Sequence, residues 1–438
     1  MNFSWRRRRA GVAAKLESSK STNSDMELTI STHFRCPISL DLMKDPITLS
    51  TGITYDRENI EKWFDAGNVT CPVTNQILRN LDQVPNHSLR KMIQDWCVEN
   101  KSYGVERIPT PRIPITPYEV SHIGSRMVAA TKNRDVKKCL ELVGKIKNLG
   151  KESERNKRCI VSNGFGSILA DSFDAFSRFS IDENVNLLKE ILSTLTWTFP
   201  IDQEAISKLK SAISLRCIAW FLKGNGDLSS KQNAIFVLKQ LISSDPDSVN
   251  RLTEIEGIEE TLFQILKIPI CPKATKACLM IIDHMMLEEQ DKINGTITLR
   301  FVQMGLIPLI LEILVDGDKS TCEKALVVFE SICNLKEGRK SARENALTIP
   351  LLVKKILRVS NIATELSIST LWKLCLEEND ENLALFEAVQ LGAFQKILVV
   401  LQVGCDDKTK EKVTELLKLM KKLYRDKLED CFDRLIIY

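Results

Sequence analysis

His33-Phe34-Arg35-Cys36-Pro37-Ile38-Ser39-Leu40-Asp41-Leu42-Met43-Lys44-Asp45-Pro46 runs on to Ser50-Thr51-Gly52-Ile53-Thr54-Tyr55-Asp56-Arg57, and this stretch decides the fold of the first hundred residues. Asp45-Pro46 and Thr51-Gly52 are turn signals on either side of the apolar run Ile47 to Leu49, so 47–55 reads as a hairpin. Asp56 is placed to cap a helix in which Ile60, Trp63 and Phe64 share one face, and Gly67-Asn68 ends it. Asn86 caps a second helix, with Leu89, Met92, Ile93 and Trp96 at i, i+3, i+4 and i+7. Two segments are left over as loops, Cys36 to Leu40 and Thr70 to Thr74.

With Ile60-Glu61-Lys62-Trp63-Phe64, Thr70-Cys71-Pro72-Val73-Thr74 and Val84-Pro85-Asn86-His87-Ser88-Leu89-Arg90 added in order, residues 31–100 resemble a U-box over its full length. A U-box is a RING-like fold without zinc. The composition agrees, because a RING needs two four-ligand sites of Cys and His, and this stretch offers only His33, Cys36, Cys71, His87 and Cys97. A single site built on His33-x-x-Cys36 is the remaining metal alternative. In the zinc-less case, polar side chains such as Asp41, Asp56, Arg57 and Asn86 are expected to brace the loops by hydrogen bonds.

The resemblance implies a role for individual residues. In U-boxes the two loops form a shallow apolar groove for a ubiquitin-conjugating enzyme. The matching positions are Ile38 and Leu40 in the first loop and Pro72 in the second, with Trp63 as groove floor. For each of these, ordinary core packing is the alternative, and Tyr55 is assigned mainly to the core. Such a ligase carries no nucleophile; it gains rate by proximity and by holding the conjugating enzyme's thioester in a reactive closed geometry. Cys36 and Cys71 lie beside Pro with no His–Asp set around them, so neither reads as a thioester site. Many U-boxes assist closure with a cation just after the second loop. The matching position is Asn75, a weaker, neutral donor.

Beyond residue 100 comes Ile108-Pro109-Thr110-Pro111-Arg112-Ile113-Pro114-Ile115-Thr116-Pro117, whose four prolines read as an extended linker. After it Gly and Pro thin out and helical periodicity takes over. Ile307, Ile310, Leu311 and Leu314 make one apolar stripe; Ala325, Val328, Phe329 and Ile332 make another. Gly257-Ile258, Gly305-Leu306, Ala346-Leu347 and Gly392-Ala393 open similar segments 41 to 48 residues apart, and Asn163-Gly164-Phe165 is an earlier copy. A helical repeat of this period resembles armadillo repeats, which bury their apolar faces by stacking and so create a binding groove. An irregular helical bundle is the alternative. The stretch 171–250 matches least and is read as one degenerate repeat around Ser214 to Trp220.

The whole-chain numbers exclude other classes. The net charge is only +4, and residues 1–30 hold six Lys/Arg against three Asp/Glu, so nearly all of it sits in the tail and no folded domain shows a basic excess for nucleic acid. No apolar run is long enough to span a bilayer. Thirteen cysteines without a C-x-x-C pair, many in apolar helical stretches, indicate a reducing compartment. The expected location is cytoplasmic, with nuclear or peripheral-membrane association as alternatives suggested by Arg6-Arg7-Arg8-Arg9; that run also fits a plain solvated tail or an organellar transit peptide.

The expected organisation is therefore a mainly α chain: a disordered basic tail at 1–30, a small α+β U-box at 31–105, a Pro-rich linker at 106–120 and an α-solenoid of armadillo-type repeats at 121–438. That order resembles the plant U-box family with armadillo repeats, one branch of which shares the Arg-rich tail and the Pro-rich linker. The resemblance implies a ubiquitin-protein ligase without cofactor or metal. Its partners would be a conjugating enzyme, ubiquitin and a protein substrate in the armadillo groove, with a U-box-mediated homo-oligomer as a candidate assembly. Membership of that branch implies a role in stress and defence signalling. The competing class is a non-catalytic armadillo scaffold with an inactive U-box. An importin-like carrier is disfavoured because no asparagine ladder recurs: with Cys333 aligned to Cys375, Leu376 stands opposite Asn334 and Lys373 opposite Ser331.

Overall fold

In a computed structural model, residues 30–109, 114–225, 227–287, 296–376 and 383–436 are described. The basic tail and the middle of the Pro-rich stretch lie outside them. The chain divides into two compact units at residue 114.

The first unit is built on a three-stranded antiparallel sheet in the order β2-β1-β3, from β1 (Pro46–Thr48), β2 (Thr54–Asp56) and β3 (Val84–Pro85). Ile47 faces Tyr55 in the hairpin and Pro85 on the other side. The hairpin is the expected one. The third strand is not; it is two residues long and one of them is proline, so it carries no pattern a sequence would reveal. Helix α1 (Arg57–Asp65) follows β2 directly, and α2 (His87–Glu99) follows β3. Phe34, Cys36, Met43, Ile47, Tyr55, Ile60, Cys71, Leu78, Ile93 and Cys97 form one core. Asn86 caps α2 as expected, its Oδ1 accepting the Leu89 N–H at 3.0 Å. Met92 departs from the expected apolar face: it is exposed, while Cys97, one turn after Ile93, is buried in the core.

Two expectations change around the Pro-rich stretch. Ile108 packs into the first core at 5% exposure rather than lying in a free linker. The first helix of the second unit, Pro117–Lys132, starts inside the expected linker: Thr116 and Glu119 form a reciprocal capping box, and Pro117 takes the first helical position, where its missing N–H costs nothing.

The second unit consists of helices. Seven of them, Val136–Glu152, Ile181–Thr198, Leu228–Ser244, Pro272–Leu287, Lys319–Ile332, Asn361–Cys375 and Asp407–Ile436, stack in succession, each packing on the next. Ile307, Ile310, Leu311 and Leu314 are all buried, as are Ala325, Val328, Phe329 and Ile332, so both stripes face the common core. The recurring glycines share a local cause. Gly164, Gly257, Gly305 and Gly392 each precede a helix at φ between 69° and 90°, a turn that side chains resist. The region 171–250, expected as one degenerate repeat, contributes two complete members of the stack, Ile181–Thr198 and Leu228–Ser244.

Polar pairs tie neighbouring members of the stack. Lys147 meets Glu190 at 2.8 Å, Lys189 meets Asp227 at 2.6 Å, and Lys276 meets Asp318 at 2.9 Å. Towards the C-terminus Lys373 donates to both Glu330 and Asn334, and Trp372 Nε1 donates to Glu415 at 2.7 Å.

Candidate functional site

The two loops of the first unit are copies of one another. Cys36 N–H donates to the Asp41 carbonyl and Leu40 N–H to the Cys36 carbonyl, both at 2.8 Å; Cys71 N–H donates to the Gln76 carbonyl at 2.9 Å and Asn75 N–H to the Cys71 carbonyl at 2.8 Å. Each loop is closed by an isolated antiparallel bridge, Arg35 with Leu42 and Thr70 with Ile77. Met43 N–H donates to Phe34 and Leu78 N–H to Val69, again matching. Every position in the second loop lies 35 residues after its counterpart in the first.

Helix α1 holds both loops. Asn59 Nδ2 donates to Ser39 Oγ at 3.0 Å and approaches Cys36 Sγ at 3.6 Å. One turn later the Trp63 indole N–H donates to the Thr70 carbonyl at 2.8 Å. Residues four apart share a helix face, so one face of α1 anchors loop one and loop two together. Trp63 is half-buried and packs against the core, so it serves as a strut for loop two as well as a candidate floor.

The cysteine sulfurs are hydrogen-bond acceptors in the core. Cys36 Sγ accepts the Asp56 N–H at 3.3 Å. Cys71 Sγ accepts from Thr51 Oγ1 at 3.3 Å and is 3.0 Å from Tyr55 OH, whose oxygen in turn accepts the Val73 N–H at 3.2 Å. Burial pushes the Cys71 thiol up, but the hydroxyls of Thr51, Thr74 and Tyr55 together outweigh it and draw it down to about 6. Tyr55 is driven above its ordinary range by burial and by the same sulfur. Both cysteines are fully buried, which denies a thioester partner any approach. Among the described residues no three His, Cys, Asp or Glu side chains gather as a metal-binding group.

The bracing expected of Asp41, Asp56, Arg57 and Asn86 is distributed differently. Asp56 does not cap α1 with its side chain; Oδ1 instead accepts the N–H groups of Lys44 and Asp45 at 2.9 and 2.7 Å, fixing the chain that leaves loop one. Arg57 Nε donates to Asp45 at 2.7 Å and its NH1 to Gln83 at 2.9 Å. Arg90 of α2 closes on the other oxygen of Asp45. Asn86 reaches Thr48 Oγ1 at 3.3 Å. The Asp41 side chain is exposed, and that residue acts through its backbone. Arg90 and Asn59 were not singled out from sequence, and Asp45 was read only as part of a turn; their partners lie 12 to 45 residues away, beyond any local pattern.

Apolar side chains are exposed on both loop tips. Ile38 is 38% exposed and Leu40 65%, while Pro72 is half-buried. Val73, which sequence reasoning passed over, is 51% exposed and is the second loop's counterpart of Ile38. Its signal was present in the duplication Cys36-Pro37-Ile38-Ser39 and Cys71-Pro72-Val73-Thr74. Asn75 is exposed at φ 56°, a left-handed backbone that Asn tolerates. In the second unit, an open recess of about 380 Å³ lies between the first two stacked helices, lined by Leu140, Gly144, Asn186, Lys189 and Glu190.

Residues 30–102 match the family described as U-box domain, and residues 119–435 match the plant U-box protein ARM repeat region. U-box domain-containing protein 21 of Arabidopsis thaliana is 46% identical, covering 99% of this chain and 98% of its own length. E3 ubiquitin-protein ligase PUB23 of the same plant is 35% identical, covering 92% of this chain and 95% of its own. Among solved structures, a designed armadillo repeat protein, YIII(Dq)4CqI, aligns over 58% of this chain and 99% of its own with a TM-score of 0.45 at 16% identity.

Proposed function

We propose that this chain, which belongs to the plant U-box proteins with an ARM repeat region, is a ubiquitin-protein ligase whose two loop tips receive a ubiquitin-conjugating enzyme. The observation that carries this reading is the pair of loops with matching hydrogen bonds hung from one face of α1, with Ile38, Leu40 and Val73 exposed while Cys36 and Cys71 are buried behind them. Relatives of this layout bear the name E3 ubiquitin-protein ligase. On this reading Ile38, Leu40 and Pro72 are the apolar anchors, Trp63 fixes the second loop beneath them, and Asn75 offers a neutral donor towards the thioester complex. No cysteine of the chain carries ubiquitin as a thioester intermediate. The gain comes from holding donor and acceptor together, and effective molarity supplies most of it.

The second unit takes the protein substrate along its stacked helices, with the Lys–Glu and Lys–Asp pairs presenting alternating charge. Stress and defence signalling remains the physiological setting proposed for it, in the cytoplasm. The test is reconstitution. Purified chain, activating enzyme, conjugating enzyme, ubiquitin and ATP are expected to yield ubiquitin conjugates on the chain itself. Absence of conjugates across a panel of conjugating enzymes would favour the scaffold reading instead.

A further inference from the structure

We propose that a recess on the second unit binds an oxyanion of the phosphate class, with the ammonium of Lys355 at its floor. The inference does not depend on the ligase reading. The recess measures about 320 Å³ and lies where helix Lys319–Ile332 begins, beside the end of the short helix Thr348–Lys355. Four cations line it, Lys319, Lys354, Lys355 and Arg358, and no carboxylate does. The acids nearest in sequence are elsewhere: Asp318 accepts the Thr321 N–H at 2.7 Å and pairs with Lys276, and Asp316 is exposed outside the lining.

Lys355 sets this cluster apart from an ordinary solvated patch. It is only 8% exposed, and among the described residues the acceptor its ammonium reaches is the Cys322 sulfur, 3.4 Å away. A cysteine sulfur is a weak acceptor that does not compensate a buried ammonium, and buried cations in proteins are normally paired. The negative end of the Thr348–Lys355 helix offsets only a fraction of it. Lys396, which donates to the Val353 carbonyl at 2.6 Å, is held below the usual lysine range by burial and then by the Arg358 charge.

The repeat supplies its own comparison. Two members earlier in the stack, the same junction forms another recess, where two cations, Lys223 and Lys231, share the lining with Glu260 and with apolar side chains such as Leu228, Ile265 and Ile268. The framework is shared: Asp227 caps its helix and pairs with Lys189 just as Asp318 does with Lys276. Lys231 even stands four residues after its capping Asp, where Cys322 stands in the other. The architecture is repeated and the four-cation lining is not, so the charge belongs to this recess and not to the repeat. A phosphoryl group carries a charge of roughly −1.5 to −2 and three strong acceptor oxygens, which suits one buried ammonium and a flanking guanidinium better than a single carboxylate would.

The full chain would be titrated calorimetrically, at fixed ionic strength, with inorganic phosphate, pyrophosphate, a phosphoserine peptide and its unphosphorylated twin. Phosphate and pyrophosphate are expected to bind and to raise the melting temperature, as ligands of the native state do. Lys355→Met and the double variant K354E/R358E should each weaken binding at least about tenfold, about 1.4 kcal/mol, while Lys231→Met should leave it unchanged. Lys355→Met should melt no lower than the wild type without anion, because it removes an unpaired buried charge; if it fails to fold, K354E/R358E decides. Tighter binding of the phosphopeptide than of free phosphate assigns the oxyanion to a side chain of a partner, and equal affinity assigns it to the free anion. No binding of any phosphate species, undiminished binding in the charge variants, or an equal loss in Lys231→Met would overturn the proposal.

Discussion

Leu40 and Asn75 hold the same position in two loops 35 residues apart: their φ angles are 63° and 56°, and each donates its N–H to the carbonyl of the cysteine four residues before it, at 2.8 Å. The left-handed backbone suits Asn and is strained for Leu, so loop one keeps an apolar side chain at a position where it costs conformational energy. Retaining Leu there is understandable if its 65% exposed side chain is used for contact. Leu40→Asn is therefore expected to raise or preserve the melting temperature of the first unit while lowering ubiquitin transfer. A lowered melting temperature together with normal transfer would show that Leu40 serves the fold.

The second loop makes the complementary prediction. Asn75 is a neutral donor, and a charge-assisted hydrogen bond is roughly twice as strong as a neutral one. Asn75→Arg should speed discharge of ubiquitin from the conjugating enzyme, by about fivefold if about 1 kcal/mol is gained in the transition state. Single-turnover discharge onto free lysine measures it. A rate equal to that of the wild type would remove Asn75 from the closure step.

Asp45 joins β1, α1 and α2 through Arg57 and Arg90, whose side chains are 16% and 13% exposed. Asp45→Ala leaves two half-sequestered guanidiniums without their carboxylate, at a cost of roughly 3 kcal/mol. For a unit of this size that lowers the melting temperature by more than about 10 °C. Calorimetry of the full chain should show the first transition move and the repeat-domain transition stay. A shift of both, or of neither, would contradict the bracing role.

In the stack, the helix caps carry a pH signature. Lys276 and the Thr321 N–H hold Asp318 down at about 2, and Lys189 with Ser230 holds Asp227 below the usual carboxylate range. A carboxyl held down in the folded state stabilises it above the ordinary carboxylate range and loses that contribution as pH falls through the folded value. The double variant D227N/D318N should therefore be less stable than the wild type at pH 6, and the gap should narrow as pH is lowered from 4 towards 2. Urea midpoints across this range provide the reading; a gap that widens in acid would refute the assignment.

Two glycines of the repeat unit should respond in opposite directions. A Cβ on Gly338 would press into the Ile332 carbonyl oxygen, whereas one on Gly144 meets nothing within 4 Å. Gly338→Ala is expected to destabilise by roughly 2 kcal/mol or more through forced backbone movement. Gly144→Ala, in the interior of helix Val136–Glu152, should stabilise by about 0.5–1 kcal/mol. Chemical denaturation of the two variants compares them directly.

The parts of this fold that were legible in the sequence are those governed by local pattern. The hairpin followed from Asp45-Pro46 and Thr51-Gly52, the α2 cap from Asn86, and the stacked helices from stripes such as Ile307 to Leu314. What escaped depends on distance along the chain. Asp56 looked like a cap because it precedes a helix, but its carboxylate makes no bond to α1 and instead accepts the N–H groups of Lys44 and Asp45. Met92 fits the helical period, yet the core behind α2 is already filled by Ile93 and Cys97. Ile38, Leu40 and Pro72 entered the candidate site through the resemblance, while Val73 required noticing that the two loops repeat each other.

The central claim is that the loop tips are a contact surface separate from the core behind them, and Ile38→Ala tests it most directly. Ile38 is 38% exposed, whereas Cys36, two residues earlier, is fully buried. Truncating an exposed side chain costs the fold little, while truncating an interface anchor typically costs roughly 1–4 kcal/mol of binding. Ubiquitin transfer by Ile38→Ala, measured beside thermal unfolding, should therefore fall at least about tenfold at a nearly unchanged melting temperature. Full activity in that variant, or lost activity together with a collapsed melting transition, would contradict the account.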